Sequence, residues 1–191
     1  MKKYKFLLIG IGAVVVVLLG FIVYISYFQN NTQTIVRQSQ QPSGTKKSLE
    51  DINKFLHEKD KERIKSFISR RGWEMSTTKS GLWYHIDEKG EGRKIQYGDF
   101  VKMDYEIRLL DGTLLYSSES DGHKIIQVGK DKDVKGLHEG LELLSEGDIA
   151  RFIIPPNLAY GLVGDGERIP AKAILYYKIE ILKVAQDKIE S

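Results

Sequence analysis

Near Gly81 the apolar residues of this chain change their spacing, and that change restricts the fold more than any other feature. Before it, Leu49, Ile52, Phe55, Leu56, Ile64, Phe67 and Ile68 recur at roughly helical intervals. After it, Val101, Met103, Tyr105, Ile107 and Leu109 alternate with Lys102, Asp104, Glu106 and Arg108. A period of two is that of a half-buried antiparallel strand. Asp111-Gly112 supplies a hairpin turn into residues 113–117. Residues 82–87, 124–128, 148–154 and 173–184 read as further strands. Leu137, Leu141 and Leu144, with His138, Glu139 and Glu142 opposite, fit one short helix. Strands around a single helix make an α+β domain over residues 81–191.

The segments before the domain have a different character. Residues 6–28 form an apolar run interrupted only by glycines, tyrosines and Ser26. The run is long enough to cross a bilayer as a helix. Lys2, Lys3 and Lys5 precede it, Tyr24, Tyr27 and Phe28 stand where an aromatic belt lies, and no small-x-small cleavage site follows. The expectation is a retained single-pass anchor over residues 1–28 in the cytoplasmic membrane, with the rest of the chain outside the cytoplasm. Residues 29–47, rich in Gln, Asn, Ser and Thr, read as a flexible tether. Residues 48–80 form a helical segment opened by a capping box at Ser48-Leu49-Glu50-Asp51 and closed at Gly72. Lys59 and Asp60 interrupt its stripe and mark a place for a bend. This amphipathic helix either packs on the domain or a partner, or pairs two copies of the chain through residues 48–71.

Charge and motifs exclude several functions. Residues 1–80 carry 14 Lys/Arg against 6 Asp/Glu, whereas residues 81–191 carry 15 against 20. The domain is therefore mildly acidic, which argues against nucleic acid as its ligand. There is no Cys, so disulfides are excluded. No Walker loop, G-x-S-x-G elbow or H-E-x-x-H motif occurs. His57, His85, His123 and His138 lack metal-ligand spacing, and Asp131-Lys132-Asp133 is too short for a calcium loop. Each reads as a solvated surface residue, and no metal or cofactor is expected.

What remains is an ordered series: Tyr105, Asp111-Gly112, Ser117-Ser118, Gly129, Val134-Lys135-Gly136-Leu137, Glu139-Gly140-Leu141, Gly147, Pro155, Leu158-Ala159-Tyr160-Gly161 and Ile169-Pro170-Ala171. At these spacings residues 81–184 resemble the FKBP family of peptidyl-prolyl isomerases. The resemblance implies a curved antiparallel β-sheet wrapped around one short α-helix, with a pocket for proline between them. The lead-in Gly81-Leu82-Trp83-Tyr84 and the preceding helix are similar to envelope-localised members, including gliding-motility-associated ones.

The resemblance also implies residue roles. Tyr105 stands at a pocket wall and Tyr177 replaces a wall phenylalanine. Tyr160 holds the position whose hydroxyl bonds a ligand carbonyl. Val134 stands where a backbone N–H is offered, and Ile169 lines the rim. Leu137 occupies the floor where the family usually has Trp. Leu115-Tyr116 replace a Phe followed by a substrate-facing Asp, and Lys124 and Ile126 replace two aromatics. Asp165 stands for a flap His and Arg168 for an Ile. These residues imply an isomerase for proline-containing polypeptide clients with a substituted pocket. A non-catalytic binding module or chaperone, or an envelope assembly factor, is the alternative.

Overall fold

The computed structural model describes residues 20–27 and 43–189. The chain divides into two compact units, Met1–Lys54 and Phe55–Ser191. In the first, residues 20–27 are helical and Phe21, Ile22, Val23, Tyr24 and Tyr27 are exposed. The remainder of the expected apolar span, and the expected tether from residue 29 to 42, lie outside the described residues. Among the described residues no helix is long and apolar enough to cross a membrane.

Helix α1 (Ser43–Arg70) begins five residues before the capping signal at Ser48 and runs unbroken through Lys59 and Asp60. Residues 43–47 are thus helical, not tether, and no interruption marks the charged pair. No proline lies between Ser43 and Ser48 to stop the extension, and lysines 46 and 47 are good helix formers. The apolar stripe splits along the helix. Leu49, Ile52 and Phe55 are exposed, whereas Ile64, Phe67 and Ile68 are buried with Ile153 and Ile174 beneath Trp73 and Tyr176. The helix stops at Gly72, which takes φ +62°. Its N–H donates to the Ser69 carbonyl and the Trp73 N–H to the Ile68 carbonyl, a Schellman stop that only a residue tolerant of positive φ closes cheaply. Trp73 then meets Phe67 edge-on, ring centroids 5.7 Å apart.

The described strands are β1 (Ser76–Thr77), β2 (Trp83–Glu88), β3 (Phe100–Leu109), β4 (Leu114–Ser117), β5 (Lys124–Gln127), β6 (Ile149–Ile154) and β7 (Leu175–Ala185). They form one antiparallel sheet in the order β1-β2-β6-β7-β3-β4, with β5 also on β3. The two most strongly alternating segments, β3 and β7, pair along their whole length from Phe100↔Ala185 to Leu109↔Leu175. The free edge of β3 is shared. Its first half, Phe100–Met103, pairs with β5, and Glu106, Ile107 and Arg108 pair with β4. A short helix, α2 (Ser118–Asp121), turns the chain between them.

Helix α3 (Lys135–Leu141) lies over the sheet and buries Gly136, Leu137, Gly140 and Leu141. Its approach to β6 is close because two of those residues lack side chains. Two buried carboxylates tie the loops at the sheet end. Asp148 accepts from the Gly90 and Ser145 N–H groups, both at 2.7 Å, and Asp99 accepts from Arg93 at 2.6 Å and from the Gln96 N–H at 2.8 Å. Each carboxylate thereby satisfies donors that would otherwise be orphaned.

Candidate functional site

The inward face of β3 and β7, the underside of α3 and the loop between β6 and β7 enclose one apolar cluster. Leu115, Ile126, Val134, Leu137, Ile169 and Tyr177 are buried within it, and Tyr105, Tyr116 and Tyr160 pack against it half-buried. All nine residues singled out in the sequence belong to this one core cluster, although they come from six separate segments. Leu137 is fully buried on α3, Ile126 enters from β5, and Tyr177 pairs with Ile107 across β3 and β7 and with Phe152 across β6 and β7.

Three tyrosines, Tyr105, Tyr160 and Tyr177, bring hydroxyls to this cluster. The Tyr177 hydroxyl is completely buried and has no hydrogen-bond partner among the described residues. The hydroxyls of Tyr105 and Tyr160 also make no hydrogen bond to another described residue. Burial pushes the Tyr160 hydroxyl up to about 12, with the carboxylates of Asp133 and Asp165 adding to the effect. Burial raises Tyr177 well above its ordinary value, assisted by Asp133, Tyr160, Tyr105 and Asp165. Burial also raises Tyr105, with Asp121 acting in the same direction and Arg168 opposing. All three are held protonated, as donors. A buried donor left without a partner costs on the order of 1–3 kcal/mol, so these hydroxyls are placed at the expense of stability.

The loop that carries Tyr160 runs from a 3₁₀ turn (Pro156–Leu158) to Ala171. Gly161 and Gly164 take φ +60° and +81°. Its backbone is fixed by Gly161 N–H to the Pro156 carbonyl at 2.9 Å and Lys172 N–H to the Gly161 carbonyl at 2.8 Å. Asp165 folds back on it, Oδ1 accepting from the N–H groups of Glu167 at 2.9 Å and Ile169 at 2.8 Å.

The departures that the sequence presents singly form one network here. Tyr116 donates to Asp165 Oδ2 at 2.6 Å, with Glu167 Oε2 at 3.4 Å. Arg168 stacks on the Tyr116 ring at 4.6 Å, donates to the Leu115 carbonyl at 3.0 Å and pairs with Asp121 at 3.2 Å. The β3–β4 hairpin is thus latched to the loop by an acid on the loop and a hydroxyl on the hairpin. The hydrogen bond from Tyr116 to Asp165 raises the Tyr116 hydroxyl. For Asp165, burial pushes the carboxyl up, but the bonds from Tyr116, Glu167 and Ile169 outweigh it and leave it below the ordinary value.

The sign for stability follows. A depressed carboxyl contributes stability above its unfolded value, near 3.9, and loses it as pH falls through the lower folded value. Acid is therefore expected to release the Glu167 and Ile169 amides below about pH 4. Tyr116→Phe moves that release to higher pH, because one of the bonds that depress Asp165 is gone. Amide chemical shifts followed against pH test this. Identical midpoints in the two proteins would mean that Tyr116 does not hold the loop.

Two sequence expectations need correction. The Val134 N–H is not open to a ligand: it donates to Asp133 Oδ1 at 2.7 Å, because a short carboxylate side chain reaches the amide that follows it. The other Asp133 oxygen is paired with Lys124, whose ammonium lies 5.9 Å from the Tyr105 ring centre. Asp133 is therefore an anchored group at the cleft, not a solvated one. His138 is not merely solvated either. Its Nδ1 accepts from the Gly129 N–H at 3.0 Å and its Nε2 faces the Asp131 carbonyl at 3.1 Å, fixing the loop that leads into α3. Among the described residues no group of His, Asp and Glu has the arrangement to hold a metal ion.

An apolar cluster that carries unpartnered tyrosine hydroxyls suits a reaction that changes conformation without breaking a covalent bond. Comparison with known proteins points the same way. Residues 91–182 match the family model described as FKBP-type peptidyl-prolyl cis-trans isomerase. A probable FKBP-type peptidyl-prolyl cis-trans isomerase, FkpA, of Neisseria meningitidis is 36% identical over 147 residues, covering 77% of this chain and 53% of the relative. FkpA of Buchnera aphidicola is 37% identical, covering 72% and 57%. The chain thus spans about half the length of these curated relatives. Among solved structures, FkpA from Escherichia coli superposes with a TM-score of 0.60 at 27% identity, over 81% of this chain and 71% of that one. AtFKBP13 gives 0.55 at 28% identity, over 59% and 99%.

Proposed function

We propose that the chain is an FKBP-type peptidyl-prolyl cis-trans isomerase, a reading that the family match over residues 91–182 supports, and that it isomerises prolyl bonds in polypeptide clients while they fold outside the cytoplasm. The observation that carries this reading is the cluster itself: aliphatic and aromatic side chains around three protonated tyrosine hydroxyls that have no hydrogen-bond partner among the described residues. Amide resonance sets a rotation barrier of about 18–20 kcal/mol. A water-poor pocket disfavours the charge-separated planar form, the walls hold the pyrrolidine ring, and the hydroxyls stabilise the carbonyl as the amide twists. Lowering the barrier by about 5 kcal/mol accelerates rotation a few thousandfold.

The pocket substitutions, and a Val134 amide already engaged by Asp133, support modest turnover. The same observation favours a second reading, a binding module that shields proline-rich segments without accelerating isomerisation. The apolar run over residues 6–28, behind three lysines, supports a membrane anchor, and the exposed Leu49, Ile52 and Phe55 leave room for pairing of two copies through residues 48–71. One experiment addresses activity and location together. The full chain is expressed, membrane and soluble fractions are separated, and isomerisation of a prolyl tetrapeptide is followed in each. Catalysis in the membrane fraction is expected. An uncatalysed rate throughout sinks the isomerase reading, and activity confined to the soluble fraction sinks the anchor.

A further inference from the structure

A groove separate from the tyrosine cluster opens where helix α1 passes the turn between β1 and β2. It encloses about 490 Å³, a size usual for ligand sites, roughly 300–1,000 Å³. Lys61 lines it from α1, Lys79 from the turn, and Pro155 and Asn157 from the chain that leaves β6. Trp83, half-buried on β2, adds an aromatic surface. Glu58 is the one acid in the lining. Neither ammonium has an ion pair or a hydrogen bond among the described residues, and the Asn157 amide and the Trp83 indole N–H are equally without a partner there. Residues 81–191 carry 15 Lys/Arg against 20 Asp/Glu, so this is a basic groove on the flank of an acidic domain. Its turn is braced against the elements that hold the cluster. Thr78 Oγ accepts from the Leu82 N–H at 3.2 Å, and Ser80 Oγ donates to Glu139 of α3 at 2.7 Å. On the other side, Asn157 stands three residues before Tyr160.

We propose that this groove is a second polypeptide-binding site, taking an acidic stretch of the same client whose proline sits beside Tyr160. This rests on the cluster being the prolyl site and adds a determinant of which clients are held. Charge and shape identify the occupant. Two unpaired ammonium groups call for carboxylates, while the Trp83 face and the Asn157 amide suit the apolar and amide parts of a polypeptide. A concave groove lined by three elements favours a narrow chain over a flat bilayer surface. Three residues of chain separate Asn157 from Tyr160 by no more than about 11 Å, a distance that a few extended residues of client cover. Exposed charge pairs of this kind act mainly on association and selectivity, and salt screens them.

The test uses the full chain and three labelled peptides at low salt: a prolyl core flanked on both sides by glutamates, the same peptide with glutamines, and the glutamate peptide with its proline replaced by alanine. Dissociation constants are measured for the parent protein, for Lys61→Gln with Lys79→Gln, and for Lys94→Gln with Lys183→Gln, two exposed lysines outside the groove. The parent is expected to bind the glutamate peptide about three- to tenfold more tightly than the glutamine peptide. The groove variant loses that preference, the control variant keeps it, and added salt weakens it. Equal affinity of the parent for the two peptides overturns the proposal. An equal loss in both double variants overturns it as well, because net charge then accounts for the preference. A preference of the parent for anionic over neutral vesicles that the groove variant loses, with no peptide preference, overturns it in favour of lipid headgroups. The alanine peptide separates the groove from the prolyl reading. A lysine-dependent glutamate preference that survives loss of the proline supports the groove and removes the prolyl site, whereas weaker binding of the alanine peptide with no glutamate preference does the reverse.

Discussion

Replacing Tyr160 with phenylalanine is expected to lower kcat/KM ten- to thirtyfold, about 1.4–2 kcal/mol, and to leave the fold intact. The expectation starts from the backbone. The loop is held by Gly161, Asp165, Ile169 and Lys172 through bonds that do not involve the Tyr160 hydroxyl. The ring packs against the core cluster that includes Leu137, Val134 and Ile169, and phenylalanine keeps that packing. No described residue accepts from the hydroxyl, so its removal strands no acceptor and changes stability by less than about 1 kcal/mol. Its contribution instead appears when a ligand carbonyl arrives. If the bond is stronger to the twisted amide than to the planar one, the loss falls on kcat. Because the hydroxyl stays protonated up to about 12, the parent protein and the variant should show parallel pH profiles across the neutral range. Prolyl-peptide kinetics beside thermal melts decide the matter. Unchanged activity makes Tyr160 a packing residue and favours the binding-module reading, and a large fall in melting temperature shows that the hydroxyl holds the loop.

How much of this was written locally in the sequence depends on the range of the interaction. The alternation of Val101 to Leu109 and of residues 173–184 states that two strands each bury one face, and the structure pairs those two strands along their full length. The spacing of Leu137 and Leu141 gives α3, and Gly72 gives the end of α1. What periodicity does not carry is the partner. Nothing local indicates that β3 gives half of one edge to β5 and half to β4. The start of α1 is hidden for the opposite reason: Ser48 is a good cap, yet the helix runs on through Gly44 to Ser43, and the nearest proline upstream is Pro42. The cleft network is the least legible part. Tyr116 and Asp165 are 49 positions apart, and each alone reads as a lost function. Only their complementarity, a hydroxyl on the hairpin and an acid on the loop, could have suggested that they replace one contact with another. Asp133 reads as solvated because it ends the charged run Asp131-Lys132-Asp133, whereas Lys124 and the Val134 amide draw it inward.

Gly140→Val is expected to destabilise the domain by about 3 kcal/mol or more and to abolish activity with it. Sequence rules alone point the other way for the smallest change, since alanine is favoured over glycine within a helix by about 0.5–1 kcal/mol. The packing reverses the sign. A Cβ at Gly140 would stand 2.4 Å from Phe152 Cε2 and 2.7 Å from its Cζ, and one at Gly136, a turn earlier on the same face, 2.4 Å from Ile154 Cγ2. Phe152 and Ile154 are fully buried on β6, and Phe152 lies between Tyr84 and Tyr177 in the register, so the ring has little room to retreat. Helix α3 must lift instead, and overpacking of this kind costs about 1–3 kcal/mol for a single added group. Valine adds two methyls and a stiffer rotamer. Lifting α3 displaces Leu137 and Val134 from the cluster that holds Tyr160, so stability and kcat/KM should fall together, unlike the separation expected for Tyr160→Phe. Urea unfolding midpoints for Gly140→Ala and Gly140→Val, read beside the peptide assay, supply the check. A more stable Gly140→Ala protein would show that α3 and β6 have slack between them, and that the floor of the cleft is not set by this glycine face.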